Sequence, residues 1–304
     1  MRVLIIARCR NGRYAPFISE QVEAIERYGV ECSFFPVIKN GIAGYLSCLP
    51  KLKKAIQAYQ PNLIHAHYGL CGLLSNLQRR VPVVTTYHGS DINNPKVFPL
   101  SKIAIRLSAF NIFVSHKNLQ KASPKTHFAL IPCGINLNDY PEIDKAEARK
   151  QMALTEGREY VLFAGAFDNK VKNAPLAFAA TKMLKGVELL EFKGFTRQKV
   201  AILLQAVDAL LMTSHTEGSP QVIKEAMACN CPIVSVDVGD VRHVITGTKG
   251  CFIAERSPMD IADKLGSALV FGKTKGRGRI THDYESRIIA QKIVSIYNEV
   301  LNHE

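Results

Sequence analysis

The sequence has no run of eighteen apolar residues, so it has no segment of the length that crosses a membrane as a helix. The apolar stretch at residues 3–7 is short and leads into Arg8 and Arg10 without a small-residue cleavage site, so we expect no signal peptide. Tandem repeats and low-complexity tracts are also absent. With 304 residues, 47% hydrophobic and 21% charged, the chain is expected to form two globular domains.

Paired cysteine motifs are missing as well. Eight cysteines are present, but the closest pair, Cys229 and Cys231, has C-x-C spacing and no further ligands that would complete a zinc site. We therefore expect reduced cysteines packed in a core, as in a cytosolic chain. His65 and His67 lie two apart on a predicted strand, hence on one face, yet no third and fourth metal ligand follows them. Their pattern favours packing or hydrogen bonding to a substrate.

Acidic residues are scarce: 26 Asp and Glu stand against 39 Lys and Arg, giving a net charge of +13. This excess predicts an anionic partner, which could be a nucleotide, a nucleic acid or an anionic membrane face. We do not expect nucleic-acid binding, because the lysines are scattered over both halves without a recognisable motif. Residues 272–279 carry four basic residues among glycines and are predicted to form a solvated loop. A basic group in the first half could face lipid head groups or form a plain basic surface; it comprises Lys51, Lys53, Lys54, Arg79 and Arg80.

Short apolar segments alternate with amphipathic ones along the chain. Strands are predicted at 1–7, 30–37, 62–66, 81–87, 111–115 and 127–131, and again at 160–164, 187–192, 209–213 and 233–236. This alternation predicts an α/β fold of two parallel sheets with helices on both faces, and ligands at the carboxyl ends of the strands. The charged residues 141–155 suggest a domain boundary. The predicted domains are 1–145 and 146–282, with a helix in 283–304 that returns to the first domain.

The most informative segment is 213–240, TSHTEGSPQVIKEAMACNCPIVSVDVGD. Ser219 and Pro220 are typical of the cap and the first residue of a helix, and the free N–H groups there favour an anion. Glu217 precedes this helix and Glu225 lies in its second turn, so both carboxylates could approach one ligand. The alternative is a loop charge and a solvated helix residue.

This segment resembles the E-x7-E region of glycosyltransferase family 4, whose members have the GT-B fold and use nucleotide sugars. Other stretches resemble the family in the same order: IHAHYG at 64–69, PVVTTYHGSD at 82–91, IPCGIN at 131–136 and FAGAFDNKVKN at 163–173. The resemblance covers nearly the whole chain. It implies two Rossmann-like domains facing an interdomain cleft, the first on the acceptor side and the second binding the nucleotide sugar.

The resemblance also implies the site. Lys172 would contact phosphate and Glu225 the ribose hydroxyls, whereas Glu217 and His88 would contact the donor sugar near the reacting carbon. His88, Glu217 and Lys172 are therefore the predicted catalytic residues; a histidine packed at a strand end and a surface lysine are the alternatives. The predicted donor-binding residues are Gly12, Asp91, Gly165, Gly218, Ser219, Pro220 and Glu225.

Sugar transfer requires stabilisation of charge on the departing diphosphate. The sequence has no D-x-D pair to hold a divalent metal, so we expect a cation and a helix terminus to serve instead, with no metal or cofactor. Many family members carry an arginine six residues before the lysine, where this chain has Ala166. Lys170, Arg8, Arg13 or backbone N–H groups could compensate, or the stabilisation is weaker.

The resemblance implies transfer, with retention, from a nucleoside-diphosphate sugar to a hydroxyl acceptor. The expected acceptor is a glycan or lipid-linked saccharide of cell-surface polysaccharide synthesis, and the expected location is the cytoplasm, at the inner membrane face. The sequence indicates no general base, so the leaving phosphate is a candidate to take the acceptor proton. Two rivals remain, another GT-B enzyme such as a nucleotide-sugar 2-epimerase and a non-catalytic nucleotide-sugar-binding protein.

Overall fold

The structure, a computed structural model, describes residues 1–302 and divides into two compact units. Unit 1 comprises Met1–Gly134 and the C-terminal segment from Ser286, and unit 2 comprises Ile135–Glu285. Residues 135–145, which the sequence assigned to the first domain, thus belong with the second sheet. The last two residues of the predicted terminal segment 283–304 lie outside the described residues.

The strands of unit 1 are β1 (Arg2–Arg8), β2 (Glu31–Val37), β3 (Leu63–His67), β4 (Val83–Tyr87), β5 (Phe110–Phe113) and β6 (Phe128–Leu130). Its helices up to Gly134 are α1 (Pro16–Glu26), α2 (Gly41–Leu46), α3 (Leu49–Tyr59), α4 (Gly69–Asn76), α5 (Ser90–Asn93), α6 (Phe98–Leu107) and α7 (His116–Ala122).

The strands of unit 2 are β7 (Glu159–Phe163), β8 (Val187–Glu191), β9 (Ala209–Met212), β10 (Ile233–Val236) and β11 (Cys251–Ala254). Its helices are α8 (Lys145–Gln151), α9 (Ala174–Thr181), α10 (Arg197–Ala206), α11 (Gln221–Ala228), α12 (Val241–Ile245), α13 (Pro258–Phe271) and α14 (Gly276–Arg279). Short 3-10 turns cover Leu137–Asp139 and Lys170–Lys172, and a π-helical turn covers Ile280–Tyr284. The chain then returns to unit 1 as α15 (Ser286–Asn302).

Both sheets are parallel throughout and follow the same winding. Their strand orders are β2-β1-β3-β4-β5-β6 and β11-β10-β9-β7-β8, so the predicted α/β fold with two parallel sheets is confirmed. In each sheet the first strand has the second on one side and the third on the other. The loops after the first and third strands therefore diverge to opposite faces and leave a crevice, which we call the switch point.

The core of unit 1 lies on both faces of its sheet, as expected where helices cover each side of parallel strands. On β1, Val3 and Ile5 pack on one face with α1, whereas Leu4 and Ile6 pack on the other with α3. Helix α15 joins the first of these layers through an apolar stripe at three- and four-residue spacing, which is typical of an amphipathic helix. The stripe comprises Ile289, Ile293, Ile296 and Val300.

Two features of unit 2 differ from the sequence analysis. Strand β11 and helices α8, α12 and α13 were not predicted. The predicted solvated loop at 272–279 is wrong, because its arginines satisfy carbonyl groups that helix ends leave without partners. Arg277 donates to the carbonyl oxygens of Tyr140 (2.7 Å) and Ala228 (2.8 Å), and Arg279 donates to two carbonyls at the end of α12.

The eight cysteines, all within residues 1–302, are free, as expected. Cys229 and Cys231 are buried, which supports core packing of the C-x-C pair. Among residues 1–302, no helix combines the length and the apolar character needed to cross a membrane.

Candidate functional site

At the switch point of unit 2, the loops after β7 and β9 are joined by hydrogen bonds. The backbone N–H of His215 donates to the carbonyl of Val171 at 2.8 Å. The hydroxyl of Thr213 lies 2.9 Å from the carbonyl oxygens of both Lys172 and Asn173. Arg256, which no sequence motif indicated, donates from its guanidinium to the carbonyls of residues 213–215. The two loops thus form one fixed platform at the strand ends.

Three predicted residues meet on this platform. The ammonium of Lys172 lies 2.7 Å from a carboxylate oxygen of Glu217, with 22% and 16% of the two side chains exposed. The stem of Lys172 crosses Gly165, where an added Cβ would come within 2.6 Å of the lysine Cγ. Gly165 therefore leaves the space in which the lysine lies, and the platform presents a paired cation and anion at the strand ends.

A buried ion pair lies beneath the turn that carries Glu217. Lys224 is fully buried on α11, and its ammonium lies 3.1 Å from Asp240 and also contacts the hydroxyl of Ser219. The Ser219 hydroxyl donates to Asp240 at 2.6 Å. Gly239 brings its backbone against the carbonyl of Gly218, where a side chain would collide. These contacts fix residues 217–219 from below.

This arrangement corrects the predicted helix start. Helix α11 begins at Gln221, Pro220 is its N-cap, and no side chain caps it. The hydroxyl of Ser219 is unavailable as a cap because it is held by Asp240 and Lys224. Neither charged residue was predicted, although a lysine among the apolar positions Val222, Ile223 and Ala226 is a signal of an inward-facing charge.

Glu225 lies on α11, partly exposed, and one of its carboxylate oxygens accepts a 2.9 Å hydrogen bond from Tyr140. Tyr140 is buried, and this burial, together with the charge of Glu225, raises the pKa of its phenol. The tyrosine therefore stays a neutral donor. It was not among the predicted site residues, because it follows the IPCGIN segment and no motif includes it.

At the switch point of unit 1, three imidazoles stack on one another. His65 and His67 on β3 have ring centroids 4.4 Å apart, and Nδ1 of His67 lies 3.0 Å from Nε2 of His88. His65 is bonded on both nitrogens, to the hydroxyls of Thr86 (2.7 Å) and Tyr297 (2.6 Å). Burial lowers the pKa of His65 and of His88 to about 3 and that of His67 well below its usual range. The stack is therefore uncharged at neutral pH.

Asp91 holds the loop that carries His88. Its carboxylate accepts backbone N–H groups from Gly69 (3.0 Å), Gly89 (2.8 Å) and His88 (3.3 Å). Burial raises the pKa of Asp91 to about 6, although these N–H groups oppose the shift. The carboxylate thus ties the loop after β4 to the start of α4.

Gly12 lies in the loop after β1, in a tight turn. Arg10 and Arg13 exchange two backbone hydrogen bonds of 2.9 Å across Asn11 and Gly12. Both central residues have positive φ, 50° and 74°, which is the geometry of a two-residue hairpin and explains the glycine. The turn sets Arg10 opposite Arg13.

The described residues, 1–302, include no group of three His, Cys, Asp or Glu side chains that could hold a metal ion. His65 and His67 instead use their nitrogens for the stack and its hydroxyl partners, apart from Nε2 of His67, which is buried without a partner. Their arrangement supports packing and hydrogen bonding as the role of this pair.

Comparison with known proteins gives consistent results for both units. Residues 2–139 match the family model described as Glycosyltransferase Family 4, and residues 162–270 match the one described as Glycosyl transferases group 1. TuaC of Bacillus subtilis, named as a teichuronic acid biosynthesis glycosyltransferase, is 26% identical over 236 residues. That match covers 67% of this chain and 60% of TuaC, so the chain spans less than two thirds of this relative.

Solved structures agree on the fold. Sucrose-phosphate synthase from Thermosynechococcus elongatus has a TM-score of 0.81 at 18% identity, with all of both chains covered. HepE of Anabaena, in complex with UDP and glucose, has a TM-score of 0.72 at 16% identity and covers 98% of this chain and 100% of its own. With the GT-B fold shared by its structural neighbours and the two family models matching most of its length, the chain belongs to glycosyltransferase family 4.

Proposed function

We propose that this protein transfers a sugar from a nucleoside-diphosphate sugar to a hydroxyl acceptor. The observation that carries the proposal is the pairing of Lys172 with Glu217 over Gly165, at the switch point of unit 2. A crevice at the carboxyl ends of parallel strands is where α/β folds bind nucleotides. The UDP in the HepE complex supports a uridine nucleotide as the first donor to test.

In the proposed reaction, Lys172 stabilises the negative charge that develops on the departing diphosphate. A preorganised cation aimed at developing charge is among the largest contributions to catalysis. Glu217 holds the ammonium in place before the donor binds and then contacts the sugar hydroxyls. Glu225 binds the ribose hydroxyls. The absence of D-x-D from the sequence supports transfer without a divalent metal.

His88 enters the proposed mechanism as a neutral ring. Because its pKa falls to about 3, it is an uncharged hydrogen-bonding group at physiological pH and contacts the donor sugar as such. Asp91 orients it through the loop backbone. Gly12, Gly218, Ser219 and Pro220 act through the turns that they form near the donor.

We further propose retention of the anomeric configuration. The bond between C1 and the diphosphate oxygen breaks as the acceptor oxygen bonds to C1 on the same face, and the acceptor proton passes to the departing phosphate oxygen. The role in the relative's name, teichuronic acid biosynthesis, supports a saccharide acceptor of a cell-surface polysaccharide.

The test begins with thermal unfolding in the presence of UDP, GDP, ADP and their sugars, because a ligand that binds the folded state raises its stability. The preferred sugar nucleotide is then incubated with saccharide acceptors, and release of the nucleotide and the anomeric proton of the product are followed by NMR. We expect a retained product and unchanged turnover in EDTA. Loss of turnover in EDTA that only manganese or magnesium restores would overturn the metal-free mechanism. If no nucleotide raised the unfolding temperature, the proposed function would be overturned.

A membrane-facing role for unit 1 is part of the proposal. Helix α3 exposes Lys51, Lys53 and Lys54, and the preceding segment exposes Ile42 and Leu46 on α2. Exposed apolar side chains beside lysines suit the surface of an anionic bilayer. We expect sedimentation with phosphatidylglycerol vesicles at low salt, lost at high salt and in a triple variant with glutamine at the three lysines. No sedimentation at low salt would refute this role.

A further inference from the structure

A cavity of about 570 Å³ opens at the switch point of unit 1. Its basic wall consists of Arg8, Arg10 and Arg13, and its phenolic wall consists of Tyr14, Tyr45 and Tyr68. Such a volume lies within the usual range for small-molecule sites. Three cations therefore share one concave space.

The arginines lack counter-charges. The tight turn holds Arg10 opposite Arg13, and like charges at directly opposite positions destabilise such a pair. Neither side chain makes a hydrogen bond or ion pair within residues 1–302. Arg8 is held by the carbonyl of Lys39 and the side chain of Asn40, while its Nε is buried without a partner.

The phenols of the cavity add further hydrogen-bond donors. Burial raises the pKa of the Tyr14 phenol to about 12 and raises those of Tyr45 and Tyr68 too, so all three phenols keep their protons. Asp91 is the one carboxyl among the described lining residues, and its oxygens are occupied by three backbone N–H groups. Ala15, which precedes α1, adds the positive end of a helix with no acidic residue in its first turn.

Tyr68 connects the cavity to the proposed reaction. Its backbone has φ 74° and ψ 148°, a conformation that few residues other than glycine adopt and that is found mainly at functional sites. This conformation sets its ring at the cavity and 4.7 Å from the ring centroid of His88. The cavity therefore lies beside the imidazole that we assign to the donor sugar.

We propose that this cavity binds the acceptor, and that the acceptor carries an anionic group, a phosphate ester or a carboxylate, held by Arg10 and Arg13. Guanidinium groups bind both anions in a bidentate manner, and the phenols supply further hydrogen bonds. This inference rests on the proposed glycosyl transfer, whose acceptor it restricts to a charged class. An anion in the cavity could also be the diphosphate of the donor, so the experiment separates the two sources.

The probes are inorganic phosphate, glucose 6-phosphate and glucose, titrated by calorimetry into the full chain at constant ionic strength, with and without saturating UDP. We expect both phosphates to bind, with or without UDP, and glucose to show no binding. In R10Q/R13Q the affinity for both phosphates should fall at least tenfold while the affinity for UDP is unchanged. The matched control R27Q/R106Q removes two exposed charges of unit 1 away from the cavity and should bind as the wild type.

Three results would overturn the inference: no phosphate binding, an equal loss in the control, or displacement of phosphate by UDP with a parallel loss of UDP affinity in R10Q/R13Q. The last would assign the arginines to the donor. Failure of the proposed function has a different signature, since UDP and sugar nucleotides would then not bind while the phosphate titrations remained unaffected.

Discussion

The two switch points share one strand order and differ in their electrostatics. In unit 2, charges are paired: Lys172 with Glu217 at the surface of the platform and Lys224 with Asp240 beneath it. In unit 1, three neutral imidazoles stack on one another. The nearby cavity is lined by arginines, of which Arg10 and Arg13 have no side-chain partner within residues 1–302. The same fold thus supports two solutions at the same topological position.

The difference indicates how each half would meet an anion. A ligand of unit 2 must compete with Glu217 for Lys172, so binding depends on contacts that replace the carboxylate. A ligand of unit 1 meets unpaired cations and relieves their repulsion. Burying a neutral ring costs less desolvation than burying a charge, whereas removing one partner of a buried ion pair leaves the other charge uncompensated. Changes to each half should therefore have different consequences.

The largest effect is expected from the buried pair of unit 2. K224M removes the cation and leaves the buried carboxylate of Asp240 with the Ser219 hydroxyl but no counter-charge, which costs about 3–5 kcal/mol of the free energy of unfolding. Urea unfolding followed by circular dichroism measures the loss. The double variant K224M/D240L should recover much of it, because it removes both charges. An unchanged midpoint in K224M would contradict the role of the pair.

The next effect is kinetic and compares the two halves directly. We expect K172A to reduce kcat by about 10²–10³, the usual cost of removing a group that stabilises developing charge. E217A and H88A should also reduce kcat, because they remove contacts that orient the donor sugar. Turnover of the preferred sugar nucleotide measures this. R158Q serves as the control, because the pair of Arg158 with Glu188 is highly exposed. Near-normal rates in all three variants, with native melting temperatures, would refute the site.

The sheets could be predicted from the sequence because buried parallel strands consist of short apolar runs, as β1 does. Strand β11 was not predicted, although strands just as short, such as β9 and β10, were predicted. The prediction for residues 272–279 was also wrong, because the carbonyls that hold Arg277 lie far away along the chain. The site residues were predicted from the family resemblance. The ion pair between Lys172 and Glu217 was not predicted, because the two residues are 45 positions apart and no spacing rule joins them. Lys224 was overlooked because helical lysines are usually solvated.

The histidine stack of unit 1 should make stability depend on pH. The pKa of His65 is about 3 in the folded chain and near 6.5 when unfolded, so as pH falls below 6.5 the unfolded state takes up the proton first. The contribution of His65 to the free energy of unfolding is complete above pH 6.5 and falls by about 2 kcal/mol by pH 5. Asp91, with its pKa raised to about 6, offsets part of the loss, because it binds its proton preferentially in the folded state.

Urea midpoints at pH 7 and pH 5 test this dependence. H65Q should be less stable at pH 7 but lose less between the two pH values than the wild type, since one titrating ring is gone. A wild-type midpoint that is equal at both values, or an equal decline in H65Q, would show that the ring is not held neutral by its buried site.

The smallest effect separates the two switch-point glycines. Gly165 adjoins Lys172, so the methyl group of G165A displaces the lysine stem and should weaken UDP binding about tenfold, or about 1.4 kcal/mol. Gly12 has no atom within 4 Å of an added Cβ, and its φ of 74° is its sole constraint. G12A should therefore cost about 1 kcal/mol of stability, through the strain of its positive φ, and should weaken UDP binding less than G165A does. Calorimetry and urea unfolding on both variants measure the two effects. Equal UDP affinities in the two variants would mean that Gly165 does not position Lys172. The difference between the two switch points would then consist only in whether their charges are paired.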